Sequence, residues 1–403
     1  MRNGHVYPAV TQSPEFPQAT ASPEKDVGRL IQTAWRMNAS DLYLLANRKS
    51  VEVAVRQWGE VHRIEKLSAD FGRHCITYIK ALAGLDIFEK RRPLDGRWFC
   101  QCDGSTIDLR ISSIPTRFGE DLTLRLLPPA TSLPSLDEIG LMDADVARLK
   151  AILASPSGLI LLCGPTGAGK TTTLYACLKE LHDGTRKINT LEDPIEFSLP
   201  GLRQSQVNDR IGLGFVELLT AILRQAPDVI VVGEIRDGAT DDVAIRAANS
   251  GHLVFDTIHA PQDAGAVHSM FALGAQPLFV ANCLLGVISP RLVRTLCPYC
   301  RDAKTATSRG CRQCNQRGFA GRTGLFELLT VDRTLRNKIA ARAPSNELHA
   351  AAVETGMNDF RQAAIEKSAS GRVSREEIRR AIPAEFLEQS KPSLKADRRK
   401  PPG

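Results

Sequence analysis

The residues best suited to chemistry are Gly164, Pro165, Thr166, Gly167, Ala168, Gly169, Lys170, Thr171 and Thr172, which fit the spacing G-x-x-x-x-G-K-[ST]. The apolar run "GLILLC" precedes them and the helix-forming run "TTTLYACLKELH" follows, so the turn joins a strand to a helix. Glycines let such a turn curl until several backbone N–H groups face one anion. The helix that starts there adds the positive end of its dipole. Lys170 would reach the β- and γ-phosphates of a nucleoside triphosphate, and Thr171 would set its hydroxyl on Mg²⁺. Three later runs carry the other groups such a site needs. "INTLEDPIEF" brings Glu192, Asp193 and Glu196; "DVIVVGEIRD" brings Glu234; "HLVFDTIH" brings His259. Open parallel sheets bind ligands beyond the carboxyl ends of their strands, so these four strand ends are expected to converge. Asp228, at the other end of its strand, is expected to stay out of reach.

A second cluster has metal-ligand spacing. Cys297-x₂-Cys300 and Cys311-x₂-Cys314 are two knuckles ten residues apart. Four thiolates fit a closed tetrahedral zinc site, and we read this one as a structural staple. Disulfides are disfavoured in a reducing compartment. Cys75, Cys100, Cys102, Cys163, Cys177 and Cys283 are scattered and read as free thiols. A third group is basic. In "TIDLRIS", Ile107, Leu109 and Ile111 share one strand face, and Asp108, Arg110 and Ser112 the other. Arg125 interrupts "LTLRLL". Spacing alone makes these arginines a solvated strand face.

The elements that must position these groups fall into an N-terminal and a C-terminal part. The 403 residues exceed one typical core, so more than one domain is expected. Residues 1–27 are rich in Pro, Ser, Thr and Gln and are expected to be disordered. Residues 28–130 carry a helix over "VGRLIQTAWRM" and short alternating strands, among them "VEVAVRQW", "STIDLRISS" and "DLTLRLL". The proline-bearing stretch 131–142 reads as a linker. From 143 to 385, apolar strands alternate with helices, the pattern of an α/β fold with a parallel sheet. The cysteines define an insert at 294–318. Helices are expected over 330–385, with Ser345 able to cap one of them and Ser374 and Glu377 forming a capping box. Residues 386–403 are basic and expected to be disordered.

Net charge is +7 and the pI 8.9, mild for this length. No apolar run is long enough to cross a bilayer, and no basic-then-apolar secretory signal opens the sequence, so a cytoplasmic location is expected. Nucleic-acid binding is not expected: aromatics are 5% and no stretch interleaves them with basic residues.

Together the motifs resemble those of the secretion ATPases that power type II secretion and type IV pilus assembly. "GPTGAGKTTTLYA" resembles their Walker A motif, "TLEDPIE" their aspartate box, "LRQAPDVIVVGEIRD" their atypical Walker B ending in Gly-Glu, and "SGHLVFDTIHA" their histidine box. "ASDLYL" resembles their "ASDIH" signature, with Tyr43 in place of the histidine, and "GFAGRTGLFELL" resembles "GRTGIHELL". The resemblance runs from about residue 28 to about 382. It implies a RecA-like P-loop ATPase core and a smaller PAS-like α+β N-terminal domain. A tetracysteine zinc insert, which the pilus-retraction ATPases lack, and a C-terminal helical subdomain complete the implied fold. It also implies roles: Glu196 as general base, Glu234 near Mg²⁺ and the γ-phosphate, and Glu192 beside the nucleotide. His252 and His259 would sense the γ-phosphate or a neighbouring subunit, and Arg224 matches an arginine of the helix before Walker B. Arg97, Arg110 and Arg125 would be presented to nucleotide, some across a subunit boundary. The implied cofactors are ATP, Mg²⁺ and Zn²⁺. The implied partners are further copies in a hexameric ring, an inner-membrane platform protein and a cytoplasmic docking protein, with peripheral attachment to the inner membrane. The longer docking domain upstream in many members is expected to be missing, because about 27 residues precede the match. Ala226 stands where an aspartate is usual and Thr220 where several members carry arginine; both are expected beneath the site. The alternatives are a nucleic-acid-stimulated P-loop motor and a nucleotide-binding scaffold with weak hydrolysis.

Overall fold

The structure, a computed structural model, describes residues 22–129, 132–234, 237–260 and 262–388. The chain forms two compact units, each discontinuous in sequence. The first is Met1–Leu133 with Pro194–Gly201 and Arg309–Gly321; the second is Pro134–Asp193, Leu202–Ser308 and Arg322–Gly403.

In the first unit α1 (Pro23–Arg36) precedes β1 (Ala39–Asn47), β2 (Ser50–Gln57) and β3 (Glu60–Ser68), which lead into α2 (Ala69–Leu82). β4 (Leu94–Cys102), β5 (Ser105–Thr116) and β6 (Gly119–Leu127) complete a six-stranded sheet in the order β3-β2-β1-β6-β5-β4. Its pairs are antiparallel. β5 buries Ile107, Leu109 and Ile111 and turns the alternate residues outward, as its period-2 pattern predicts. Those buried residues join Val27, Leu30 and Ile31 of α1 and Ile76 and Ile79 of α2 in one apolar core.

The second unit opens with α3 (Asp143–Leu153), β7 (Gly158–Cys163), α4 (Lys170–Leu181), β8 (Ile188–Glu192) and β9 (Arg203–Gln206). α5 (Phe215–Leu223), β10 (Val229–Val232), α6 (Gly238–Asn249), β11 (Leu253–Ile258), α7 (Asp263–Leu273), α8 (Pro277–Cys283) and β12 (Leu284–Leu296) follow. A short hairpin, β13 (Arg301–Asp302) with β14 (Thr307–Ser308), lies between the cysteine knuckles. β15 (Phe319–Thr330) then leads to α9 (Arg333–Ala340), α10 (Ser345–Glu354), α11 (Phe360–Ala369), α12 (Arg375–Ala381) and α13 (Ala384–Glu388). The seven-stranded sheet runs β15-β12-β7-β11-β10-β8-β9, and the strands from β12 to β9 pair in parallel. Every residue of β7, β8, β10 and β11 is buried, the signature of parallel strands covered on both faces. The α/β fold class read from the sequence is therefore the one observed.

The boundaries differ from those expected in three places. α1 starts at Pro23, so 23–27 are helical; proline suits the first turn, and Asp26 is buried against Arg29 at 2.8 Å. Residues 1–21 lie outside the described residues. The expected linker is docked from Pro134 onward. Leu136, Ile139 and Leu141 are buried, and Gly324 N donates to Ile139 O at 2.9 Å. At the other end Phe386 is buried within α13, so order continues past 385; residues 389–403 lie outside the described residues. Ser374 caps α12 through the Glu377 N–H, but the Glu377 carboxylate accepts from Arg294 and Arg380, so only half of the expected capping box forms; Pro344, not Ser345, occupies the cap position of α10.

Two buried acids in the second unit link this fold to pH. Among the described residues Asp241 on α6 has no hydrogen-bond partner at either carboxylate oxygen, and Asp256 on β11 is fully buried. Burial, helped by the charges of Asp242 and Asp237, pushes Asp241 up to about 7. Burial, with Asp241's charge, lifts Asp256 well above the carboxylate range. The folded state therefore holds a proton on Asp241 that the unfolded chain has already lost, and stability falls as pH rises from about 4 to about 7. Asp241→Asn, which mimics the protonated acid, is expected to stabilise the protein by on the order of 3 kcal/mol at pH 8 and by less at pH 5. Urea unfolding midpoints of both proteins at the two pH values test this; an equal gain at both would refute it.

Candidate nucleotide site

β7 delivers the glycine turn. Gly164, Gly167 and Gly169 take φ of 143°, 76° and 106°, values that L side chains adopt only with strain. At Gly164 the turn also presses on its neighbours: a Cβ there would lie 2.9 Å from Arg291 Nη1 and 3.1 Å from the Ala168 Cβ. Gly169 caps α4, so the helix begins at Lys170 and its free N–H groups open toward the loop. Thr171 is exposed and Thr172 half-buried on the first turn. The Lys170 ammonium bonds the Gly164 carbonyl at 2.6 Å. Burial holds its pKa below the usual lysine range, while the charge of Glu234 pushes the other way. A glycine-lined backbone concavity with one ammonium and one exposed hydroxyl fits a polyphosphate and its Mg²⁺.

Glu234 follows Gly233 at the end of β10. Gly233 N donates to Leu191 O at 2.7 Å, and a Cβ at Gly233 would sit 2.8 Å from that oxygen, so the Gly-Glu pair marks a close strand approach. His259, just past β11, pairs Nε2 with Glu234 Oε1 at 2.8 Å. The second unit thus brings Lys170, Glu234 and His259 to the carboxyl-end edge of one sheet.

The other expected residues are distributed differently. Glu192 is buried, and its carboxylate accepts from Tyr175 at 2.5 Å, Thr190 at 2.7 Å and Gln204 at 3.1 Å. It anchors β8 to α4 instead of opening to solvent; Asp193 beside it is exposed. His252 precedes β11, and its carbonyl accepts from Gly158 N at 3.0 Å. That places it at the amino end of the sheet, about 20 Å along the strand from His259. Arg224 is exposed just after α5, on the stretch entering the amino end of β10, where Lys187 N donates to Asp228 at 2.7 Å. The structure therefore does not bring His252 or Arg224 to the phosphate-loop edge, because each sits before its strand and not after it. Thr220 and Ala226 are not beneath the loop either. Thr220 is exposed and bonds back to Val216 O at 2.7 Å, and Ala226 occupies a left-handed turn at φ 49°.

Glu196 belongs to the first unit. Arg110 Nη1 lies 3.3 Å from Glu196 Oε2, and the same guanidinium donates to Ile195 O. Arg110 stands in a row fixed by strand register: Arg97 faces Arg110, Arg110 faces Arg125, and Arg125 faces Asp41. Three guanidiniums on adjacent strands repel one another, so each is balanced by an acid. Arg97 pairs with Asp108 at 2.8 Å and Arg125 with Asp41 at 3.3 Å. Tyr43, on the same strand as Asp41, accepts from Arg56 at 2.8 Å.

The four cysteines gather as expected. The Sγ atoms of Cys297, Cys300, Cys311 and Cys314 lie within 4.8 Å of one another. The Cys311 and Gly318 amides both donate to Cys314 Sγ at 3.2 Å, as amides do to zinc-bound thiolates. The donor set fits Zn²⁺. Sequence reading missed Arg291, whose guanidinium lies against the Phe360 ring at 5.2 Å and beside Gly164. An arginine inside the apolar strand "GVISPRLV" was the available signal.

Residues 18–380 match the family described as Type II/IV secretion system protein. The chain belongs to that family. It is 39% identical over 356 residues to the type II secretion system protein HxcR of Pseudomonas aeruginosa, covering 88% of this chain and 76% of that protein. It is 36% identical to the type II secretion system ATPase E of Vibrio cholerae, covering 88% and 74%. It is equally similar, at 36%, to the type IV pilus assembly ATPase TfpB of Acinetobacter baylyi, covering 89% and 65%. Among solved structures, the pilus retraction motor PilT with bound ADP matches at 25% identity and a TM-score of 0.64, over 88% of this chain and 96% of that one. The Legionella pneumophila ATPase DotB matches at 22% identity and a TM-score of 0.70, over 92% and 98%, and so shares the fold. The resemblance drawn from the motifs is thereby established at the level of the secretion-protein family.

The loop glycines should differ in tolerance. Gly164→Ala is expected to weaken binding of a fluorescent ATP analogue about tenfold or more, through strain and the Arg291 clash together. Gly167→Ala, whose Cβ would meet nothing within 4 Å, is expected to lose less. Equal affinities for the two variants would contradict this account of the loop.

Proposed function

We propose that this chain is an ATP-hydrolysing motor that works as a hexameric ring and powers type II secretion or type IV pilus assembly. The observation that carries the reading is the meeting of Lys170, Glu234 and His259 at one sheet edge beside the glycine loop. The loop amides and Lys170 would hold the β- and γ-phosphates, and Thr171 and Glu234 would hold Mg²⁺. The ion, when bound, neutralises charge on the phosphate oxygens. Water attacks the γ-phosphorus while the bond to the β–γ bridging oxygen breaks. ADP leaves, and the proton of the attacking water passes to Glu196. Glu234, oriented by His259, positions that water. Loss of a γ-phosphoryl group needs positioning and charge neutralisation more than covalent help, and the family resemblance assigns that neutralisation to Arg97, Arg110 and Arg125.

Under this reading the motor sits in the cytoplasm against an inner-membrane platform protein and a cytoplasmic docking protein, with Zn²⁺ stapling the cysteine insert. No helix among the described residues is long and apolar enough to cross a membrane, so attachment would run through those partners. The relatives' names, which speak of type II secretion and type IV pilus assembly, support the choice of machine.

Phosphate release by the purified chain tests the proposal. Lys170→Ala and Glu234→Gln are each expected to cut the rate by on the order of 10²-fold or more, and Arg110→Ala by up to about 10³-fold. DNA or RNA is expected to leave the wild-type rate unchanged. Equal rates in wild type and the Lys170 and Glu234 variants would overturn the motor reading. Strong stimulation by nucleic acid would point instead to a nucleic-acid motor.

A further inference from the structure

Outside the nucleotide site, one buried cluster has the chemistry of a second ligand site. Asp263 opens α7, Glu327 lies in β15 and His349 lies on α10. One donor atom from each lies within 4.8 Å of the other two. Asp263 and Glu327 are fully buried and His349 is 8% exposed. Each acid spends one oxygen on the backbone: Asp263 Oδ1 accepts from Ala264 N at 2.5 Å, and Glu327 Oε1 from Phe360 N at 3.1 Å. The other oxygens, Asp263 Oδ2 and Glu327 Oε2, are buried with no hydrogen-bond partner among the described residues.

The histidine cannot satisfy both of its neighbours by itself. His349 Nδ1 lies 3.1 Å from Gln262 Nε2 and 3.4 Å from Asp263 Oδ1. A protonated Nδ1 satisfies Asp263 and opposes the amide; a bare Nδ1 satisfies the amide and opposes the carboxylate. Gln262 Nε2 also lies 3.4 Å from Glu327 Oε1. Two buried carboxyls with orphaned oxygens and one imidazole nitrogen are short of positive charge, and an ion among them relieves all three at once. Turning the Gln262 amide end for end would present its oxygen as a fourth donor.

We propose that Asp263, Glu327 and His349 form a divalent transition-metal site, separate from the four cysteines, that takes Zn²⁺ or a similar borderline ion. Imidazole with carboxylate oxygens is a zinc donor set, whereas Mg²⁺ and Ca²⁺ prefer oxygens alone. The site ties α7, α10 and β15 together. Burial, helped by the charges of Asp263 and Glu327, pushes up the thiol of Cys163, the residue before the phosphate loop. The ion's role is that of a brace among these three elements, and it does not depend on the motor reading.

The test uses the full chain, stripped of metal and titrated with Co²⁺ in the absence of nucleotide. The wild type is expected to take up two equivalents. One gives intense thiolate-to-metal absorption, and the other gives only weak ligand-field bands. Zinc content by elemental analysis should fall from two per chain to one in His349→Gln, which keeps the thiolate signal, and to one in Cys297→Ser/Cys300→Ser, which loses it. A wild type that binds a single, wholly thiolate-bound equivalent overturns the proposal. That titration decides the matter even if a variant fails to fold, and the cluster would then be a set of shared protons with no metal.

Discussion

The phosphate loop depends on how closely β12 passes beneath it. Residues 290–292 fill the space under the turn. Arg291 Nη1 would lie 2.9 Å from a Cβ at Gly164, and Leu292 would lie 3.4 Å from one at Gly169. The turn cannot relax downward, and its three left-handed glycines cannot be replaced without strain. The shape of the turn is therefore set by the packing beneath it before any phosphate arrives, so binding need not organise it. The central strand β7, buried at every position, makes this possible by tying the loop to the packed core.

A different constraint governs the first unit. Register alone aligns Arg97, Arg110 and Arg125 across three adjacent strands. Such a row costs folding energy unless acids compensate it, and Asp108, Glu196 and Asp41 do so. A sheet selected for stability alone gains nothing from three facing guanidiniums. The arrangement makes sense when a polyanion competes for them, and the exposure of Arg97 and Arg125, both more than half open to solvent, leaves room for it.

Much of this was legible in the chain because the deciding features are local. The glycine turn announces itself by spacing, and the parallel strands by unbroken apolar runs such as "GLILLC" and "HLVF". The cysteine pairs lie close enough in sequence for their meeting to be read off directly. Strand direction put Asp228 out of reach, but the histidine-box resemblance spans all of β11 and grouped His252 at its entry end with His259 at its exit end. His252 and His259 belong to one stretch, yet the six residues of β11 separate them, so a shared motif did not mean a shared site. Glu192 misled for the opposite reason. It sits at the correct strand end, but Tyr175, Thr190 and Gln204, distant or unremarkable in sequence, turn its carboxylate inward. The boundaries at Pro23, Pro134 and Phe386 were obscured by composition. Proline-rich, polar stretches read as disorder, whereas a few buried apolar side chains suffice to dock them.

The division of the carboxylate loop has a mechanical consequence. Glu192 and Asp193 belong to the second unit, whereas Pro194–Gly201, with Glu196, belongs to the first. Arg110 enforces that division by gripping both the Glu196 carboxylate and the Ile195 carbonyl. Under the proposed mechanism, the base and the charge-neutralising arginine are then carried on one body, and Lys170 and Glu234 on the other. Cutting the Arg110–Glu196 link would loosen the base from the arginine, so the two residues should prove non-additive when altered together, as residues acting as one unit do.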